Sequence, residues 1–191
     1  MSTFIRQCFV GLKVLVVMTV VLGVAYPAAV WGVGQVAFND NANGQIISHG
    51  GKDVGSSIIG QDFKVEDSQW FHGRPSATEY DGLASAGSNL GPSNPDLLKA
   101  IKERQQAIAD SEGVAVSEVP ADAVTASGSG LDAYISPEYA ALQVERVARE
   151  RGLSVKAVRT LVDEHTYGRQ LGFLGEAKVN VLALNLALER A

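Results

Sequence analysis

The first fifth of the chain is apolar and almost free of charge. From Val14 to Asn39 no Asp, Glu, Lys or Arg occurs. A helix of about 26 residues extends about 39 Å, whereas the hydrocarbon core of a bilayer is about 30 Å thick. The pattern predicts one tilted transmembrane helix within residues 1–38, and residues 39–191 are then a second, separate domain.

The beginning of the second domain shows no sustained helical period. Residues 40–95 contain nine glycines, and two runs, Gly44–Ser48 and Ser56–Ile59, have weak strand character. Asn43-Gly44 is a dipeptide typical of tight hairpin turns. This half of the domain is therefore predicted to consist of short strands and ordered loops.

Helical patterns dominate the rest of the chain. Asn94 before Pro95, Ser136 before Pro137, and Ser154 are N-cap signals, and each is followed by apolar residues at spacings of three and four. Glycines at 113 and 152 are predicted to end the first two helices. The segment Val179–Leu188 alternates Leu with small or polar residues, but its Leu and Ala content and a cap at Asn180 favour helix. The predicted fold class is α+β.

Charge is distributed unevenly about the apolar span. Arg6 and Lys13 are the only charged residues among the first 39. Because the chain carries −5 in total and these residues carry +2, the remainder carries −7. Cationic residues collect on the cytoplasmic side of membrane helices, so the N-terminus is predicted to be cytoplasmic and residues 39–191 to lie outside. The alternative is a cleaved signal peptide with an apolar core from Val14 to Val24 and a small-residue site at residues 23–25.

The span carries small residues at helical spacing. They allow close packing of a second helix, and Pro27 removes a backbone hydrogen bond to the carbonyl of Gly23 and favours a kink. The alternative is that Ala and Gly are simply common in membrane helices. The predicted partner interface comprises Ala25, Pro27, Ala28, Ala29 and Gly32.

Tests for independent chemistry give weak or negative results. Gly51-Lys52-Asp53 does not complete a phosphate-binding loop, and residues 128–133 match the dinucleotide fingerprint without a surrounding strand and helix. One cysteine and three dispersed histidines do not form a zinc motif. The acidity of residues 39–191 argues against nucleic-acid binding. No catalytic residue and no metal ligand is therefore assigned.

Two loops concentrate Gly, Pro, Ser and Asn in specific orders. They read WFHGRPSA over residues 70–77 and GSNLGPSNP over residues 87–95. Turn chemistry alone explains such a composition. The functional interpretation is a rigid surface that meets a partner and from which His72 and Arg74 project. The predicted surface residues are His72, Arg74, Ser76, Ser88, Asn89 and Asn94.

These loops belong to a longer ordered series of motifs. VTASGSGLD over residues 124–132, Ile135-Ser136-Pro137, GRQLGFLGE over residues 168–176 and VNVLALNLAL over residues 179–188 follow them. Together with Tyr26-Pro27 in the span, the series resembles the C subunit of the bacterial potassium-transporting P-type ATPase, the Kdp system. The resemblance covers the chain from Gln7 to Leu188.

The resemblance implies a non-catalytic accessory subunit of an ATP-driven potassium importer in the bacterial cytoplasmic membrane. Its implied partners are a channel-like potassium-binding subunit, a P-type ATP-hydrolysing subunit, a small single-span subunit, and membrane lipid. ATP, Mg²⁺ and K⁺ would be used by the complex, and this chain alone would bind no cofactor. The favoured role is assembly and stabilisation, with the outer domain capping the ion entrance.

Two alternatives remain open at this point. The family is also associated with a catalytic chaperone that raises the pump's affinity for ATP, in which Ser127, Gly128, Ser129, Gly130 and Gln143 would contact the nucleotide. ATP is cytoplasmic, however, and the predicted topology places those residues outside. A third alternative, of a different class, is a membrane-tethered extracytoplasmic enzyme or binding module.

Overall fold

The computed structural model describes residues 3–64 and 66–191. The chain divides into two compact units, Met1–Ile46 and Ile47–Ala191. The elements confirm the α+β class, with a long apolar helix first, then strands, then mainly helices.

The first unit is dominated by one long apolar helix. It comprises α1 (Thr3–Val20), a π-helical turn (Val21–Ala25) and α2 (Tyr26–Ala37), and it is followed by a short helical turn, α3 (Asn39–Ala42). The 35 residues from Thr3 to Ala37 are long and apolar enough to cross a membrane. The wider π-helical turn lies immediately before Pro27, whose ring would clash with a regular helical backbone.

The second unit begins with a hairpin of β1 (Ile46–His49) and β2 (Lys52–Ser56). Gly50 and Gly51 connect these strands, and both have positive φ, as a two-residue type I′ turn requires. A turn does lie at Asn43-Gly44, but it follows α3 and does not join two strands. The predicted strand over residues 56–59 is only an isolated bridge between Ser56 and Ile59.

Three helices begin where the sequence predicts, and the first two also end at the predicted glycines. The side chain of Asn94 accepts from the backbone of Asp96 to start α4 (Pro95–Glu112), and Ser136 caps α6 (Pro137–Arg151) through Tyr139. Gly113 and Gly152 end them in the left-handed conformation, and Ser154 caps α7 (Val155–Glu164). A 3₁₀ turn (Val116–Glu118) and α5 (Ala121–Val124) connect α4 to the next strand.

A small antiparallel sheet adds strands to the helical half of the unit. Its order is β3 (Tyr134–Ile135), β5 (Lys178–Asn180) and β4 (Thr166–Tyr167). Ile135 pairs with Val179, and Thr166 pairs with the same residue from the other side. Asn180 then caps α8 (Val181–Leu188), which confirms a helix at the C-terminus.

The core of the second unit lies around α6. This helix packs against α4 and α7, and α8 packs against α7. The enclosed side chains are mainly valine, alanine and leucine, and they include Val144, Val147, Val158, Val162, Val179, Leu184 and Leu188. Burial of each such side chain contributes roughly 1.5–3 kcal/mol. The core therefore fixes α6 as the support for the loops described next.

Candidate partner-binding surfaces

Residues 68–72 form a turn and the two residues that follow it, and side chains rather than a neighbouring strand hold them. Asn185 of α8 accepts from the backbone N–H of Phe71 at 2.9 Å and donates to its carbonyl at 3.0 Å. Gln143 of α6 does the same for His72, at 2.7 and 3.2 Å. Each amide replaces both hydrogen bonds that a neighbouring strand would make. We call residues 68–72 the clamped segment.

Arg146 extends this clamp with a buried charge. Its guanidinium donates to Glu112 at 2.8 Å, to Gln143 at 2.9 Å, and to the carbonyls of Ser68 and Trp70. Burial raises the pKa of Glu112, while Arg146 opposes that rise. Breaking such a buried pair at one end is strongly destabilising, so this network fixes the clamped segment to α4 and α6.

His72 is part of this network and does not project from the surface. Burial, together with the nearby charge of Arg146, lowers its pKa from 6.5 to about 4. Its Nε2 lies 3.3 Å from the carbonyl of Asp67, and its Nδ1 lies 3.4 Å from the Arg146 guanidinium. Because guanidinium only donates, this geometry fits a neutral imidazole protonated at Nε2. The sequence-based placement of His72 on a partner surface is wrong.

Arg74 and Ser76 join the loop of residues 70–77 to residues 125–132, which include the Ser/Gly loop of residues 127–130. Arg74 pairs with Asp132 at 3.0 Å and donates to the carbonyl of Thr125. Ser76 donates to the carbonyl of Gly130 at 2.7 Å and accepts from Thr78 and Tyr80. Both side chains are half-buried. Ser76 is therefore directed at the protein's own backbone, and Arg74 at Asp132 and Thr125, although the buried Nε of Arg74 has no hydrogen-bond partner.

The two loops make further contacts along their length. Ser85 donates to the carbonyl of Ser129 at 3.1 Å, and the backbone of Ser127 donates to Pro75. A Cβ added at Gly87 would lie 3.1 Å from the carbonyl of Gly128. Residues predicted separately as a partner surface and as a nucleotide site therefore form one interlocked pair of loops.

The predicted nucleotide contacts differ in their accessibility. Gly128 and Ser129 are exposed, whereas Ser127, Gly130 and Gln143 are buried. Gln143 is fully buried, and both atoms of its amide are engaged by the clamped segment. A direct contact between Gln143 and a nucleotide would require the core to open, so that prediction is wrong for Gln143.

The remaining predicted residues lie on exposed or partly exposed positions. Ser88 and Asn89 are exposed, and Asn89 has a φ of 53°, which Asn tolerates better than most residues. Asn94 is half-buried and its side chain is used as the N-cap of α4. In the span, Gly32 is half-buried and the other predicted interface residues, Ala25, Pro27, Ala28 and Ala29, are exposed.

An exposed apolar hairpin tip is a candidate partner surface that the sequence analysis did not single out. Gln170 and Leu174 exchange backbone hydrogen bonds of 2.9 Å, which fixes the intervening residues in a tight turn. At its end, Leu171 is 82% exposed and Phe173 is 69% exposed. The signal was present in the motif over residues 168–176, where large apolar residues alternate with glycine. We call residues 170–174 the apolar tip.

An open cleft of about 550 Å³ lies beside the apolar tip. The residues that line it include Arg74, Asp132 and Ser136. The backbone N–H and the hydroxyl of Ser136 both donate to the carboxylate of Asp122, at 2.7 and 2.8 Å.

Within residues 3–64 and 66–191, the His, Cys, Asp and Glu side chains form no group of three or more suited to a metal ion.

These features define a class of protein: a single-span membrane protein whose second unit is an α+β domain. Comparison with known proteins identifies the family. The family model of the K⁺-transporting ATPase c chain, KdpC, matches residues 8–190. The chain therefore belongs to the KdpC family, and as such it is a subunit of a potassium-transporting ATPase that is not catalytic by itself.

Individual relatives agree over nearly their full length. The potassium-transporting ATPase KdpC subunit of Kineococcus radiotolerans is 53% identical over 193 residues, which cover 100% of this chain and 97% of the relative. The subunit of Methylococcus capsulatus is 53% identical over 94% of this chain and 95% of its own. That of Mycobacterium tuberculosis is 50% identical over 97% of this chain and 98% of its own.

Proposed function

We propose that this chain is an accessory subunit that assembles and stabilises the pump and caps the extracytoplasmic ion entrance of the channel-like subunit. The partners are that subunit, the ATP-hydrolysing subunit and the small single-span subunit. ATP, Mg²⁺ and K⁺ are used by the complex, and this chain holds none of them alone.

One observation carries the proposal. In the loop of residues 70–77 the polar groups are used internally, by the clamped segment and by the Arg74–Asp132 and Ser76–Gly130 contacts, whereas Ser88 and Asn89 of the loop of residues 87–95 stay exposed. Large apolar side chains stay exposed along the long helix and at the apolar tip, and also at scattered positions such as Leu83, which is 98% exposed. A rigid domain with exposed apolar contact points is suited to binding other proteins rather than to turning over a substrate.

The charge distribution supports an orientation with the domain outside. Arg6 and Lys13 precede the uncharged stretch, and the net charge after residue 39 is −7. Cationic residues favour the cytoplasmic side. This orientation separates the Ser/Gly loop from cytoplasmic ATP, and with the burial of Gln143 it favours the capping role over the chaperone role.

Cysteine labelling tests the orientation. In a Cys8→Ser background, Ser129→Cys is exposed to a membrane-impermeant maleimide applied to intact cells, and Thr3→Cys, which keeps both Arg6 and Lys13, serves as the control for the opposite side. We expect labelling at position 129 only. Labelling at position 129 that requires opened membranes would refute the outer placement and would restore direct nucleotide contact.

Steric substitutions in the span test assembly. Ala28→Phe and Gly32→Phe should each reduce the amount of the other pump subunits that co-purifies with this chain in mild detergent. Val30→Phe, on the other side of the same helix, is the matched control. If all three variants retain the pump equally, the small face contacts lipid and not a partner helix.

A further inference from the structure

We propose that the backbone carbonyl of Leu22 accepts a hydrogen bond from a hydroxyl or amide side chain on a transmembrane helix of another pump subunit. The inference rests on the proposed function, because it requires the span to dock within the pump. Beyond the proposed function, the inference names the atom that the partner contacts, the carbonyl oxygen of Leu22, and the type of donor that contacts it.

The register of the π-helical turn leaves this carbonyl without a main-chain donor. The N–H of Tyr26 donates to the carbonyl of Val21, five residues before it. In a regular α-helix, Tyr26 would serve Leu22 instead. If the π-helical pattern continued, the carbonyl of Leu22 would accept from the N–H of residue 27, but this residue is proline and has no N–H. From the sequence alone, Pro27 was expected to leave the carbonyl of Gly23 without its donor, whereas in the π-helical register the carbonyl of Leu22 loses one.

Side chains of this chain do not supply the missing donor. Among the described residues, the side-chain hydrogen bonds of the first unit involve Gln35, Asn39 and Asn43, which are at least three turns away along the helix. Gly23 has no side chain, and a Cβ built there would contact only a methyl carbon of Thr19, at 3.9 Å. The carbonyl must therefore find its donor outside the chain.

The position of Leu22 makes this requirement stringent. It lies near the middle of the apolar helix Thr3–Ala37, none of whose side chains is buried within the protein. Hydrocarbon offers no hydrogen-bond donor, and an unsatisfied backbone group there costs several kcal/mol. Freed carbonyls at membrane depth are stabilised by neighbouring helices that supply polar side chains.

The surroundings of the carbonyl allow such a helix to approach closely. A helical carbonyl points toward the C-terminus, so that of Leu22 is directed at the turn that holds Ala25. Gly23 precedes this turn and Ala29 follows it one turn further on. Small side chains at these positions permit the close backbone approach that a side chain as short as Ser, Thr or Asn needs in order to reach a carbonyl.

A transmembrane helix of the pump is the occupant that these features fit. Family membership provides other membrane-embedded subunits as partners. A charged donor at this depth would cost more than the hydrogen bond returns, which restricts the donor to hydroxyl or amide groups. Water and a second copy of this chain are the competing donors, and the experiment distinguishes them.

Solid-state NMR of the full chain detects the hydrogen bond directly. Labelling with 1-¹³C-leucine and ¹⁵N-glycine marks four Leu–Gly peptide bonds, at residues 22–23, 90–91, 171–172 and 174–175. The resonance that disappears in Gly23→Ala belongs to Leu22. We expect this carbonyl resonance to move downfield in the purified pump relative to the chain alone, diluted in lipid vesicles.

Pro27→Ala provides the matched test, because it adds the N–H that proline lacks. In this variant the carbonyl is satisfied within the helix, so the Leu22 resonance should be the same in vesicles and in the pump. Retention of the pump subunits in detergent should fall about threefold to tenfold, as for loss of one hydrogen bond between membrane helices. Val24→Ala removes similar volume without adding an N–H and should leave retention unchanged.

Two NMR outcomes overturn the proposal. A Leu22 resonance that is equally shifted in vesicles and in the pump identifies water or a second copy as the donor, and one that is unshifted in both shows that no donor binds. In either case the chain still co-purifies with the pump. Failure of the wild-type chain to co-purify would instead refute the proposed function.

Discussion

Gln143 is expected to be among the most important polar side chains for the stability of the second unit. Its amide holds the backbone of His72 at both ends and accepts from Arg146 at 2.9 Å. Gln143→Leu keeps similar volume and removes all three hydrogen bonds. The His72 N–H and one guanidinium N–H then remain buried without that acceptor.

The magnitude follows from these losses. A buried backbone donor left unsatisfied costs about 1–3 kcal/mol, and a hydrogen bond to a charged group contributes about 1.5–3 kcal/mol. Burying leucine in place of the amide returns about 1 kcal/mol. We therefore expect the free energy of unfolding to fall by about 2–4 kcal/mol, which is a large part of the stability of a typical domain.

Urea unfolding of the full chain in detergent measures this change. A Trp31→Phe background leaves Trp70, which lies within the clamped segment and stacks under Arg151 at 4.0 Å, as the single tryptophan reporter. With a slope of about 1–3 kcal/mol per molar urea, the midpoint should fall by about 1–2 M. Gln106→Leu, on the exposed face of α4, is the matched control and should change stability by less than about 0.5 kcal/mol.

A midpoint for Gln143→Leu equal to that of the control would refute this reasoning. It would mean that the clamped segment is held by its apolar contacts alone, and that the amide can be exchanged for an aliphatic side chain without loss. The clamped segment would then be free to move away from α6, and exclusion of Gln143 from nucleotide contact would lose its structural basis.

Three further predictions concern the same unit. The pKa of His72 is about 4 in the folded state and 6.5 in the unfolded state, so the folded state binds fewer protons between these pH values. The free energy of unfolding should therefore be highest above pH 6.5 and lower by about 2 kcal/mol at pH 5. Unfolding curves of His72→Asn should not show this loss. Gly130→Ala should destabilise the unit by more than about 1 kcal/mol, since φ is 70° and the new Cβ would collide with Thr78; Gly128→Ala, with open space around it, should be neutral in thermal unfolding. Phe173→Ser should reduce co-purification of the pump while leaving the unfolding midpoint unchanged, and an unaltered complex would remove the apolar tip from the interface.

Local rules in the sequence were sufficient for the helices and for the span. Asn94, Ser136 and Ser154 act as caps because a side-chain oxygen one residue before a helix satisfies a nearby N–H, wherever the helix lies in the fold. The span could also be predicted from the sequence, because the test needs only its length, its lack of charge and the thickness of a bilayer. No contact with another part of the protein enters that test. Charge asymmetry likewise predicted an orientation, which remains a prediction.

Contacts between distant segments decided what the sequence alone could not. His72 and Gln143 are 71 positions apart, and Phe71 and Asn185 are 114 apart, so no local pattern shows that amides replace a neighbouring strand. For the same reason His72 was placed on the surface and Gln143 beside a nucleotide. Polar residue types indicate that hydrogen bonds will form. Only the packing of α6 and α8 determines whether the hydrogen-bond partner belongs to the protein itself or to another protein.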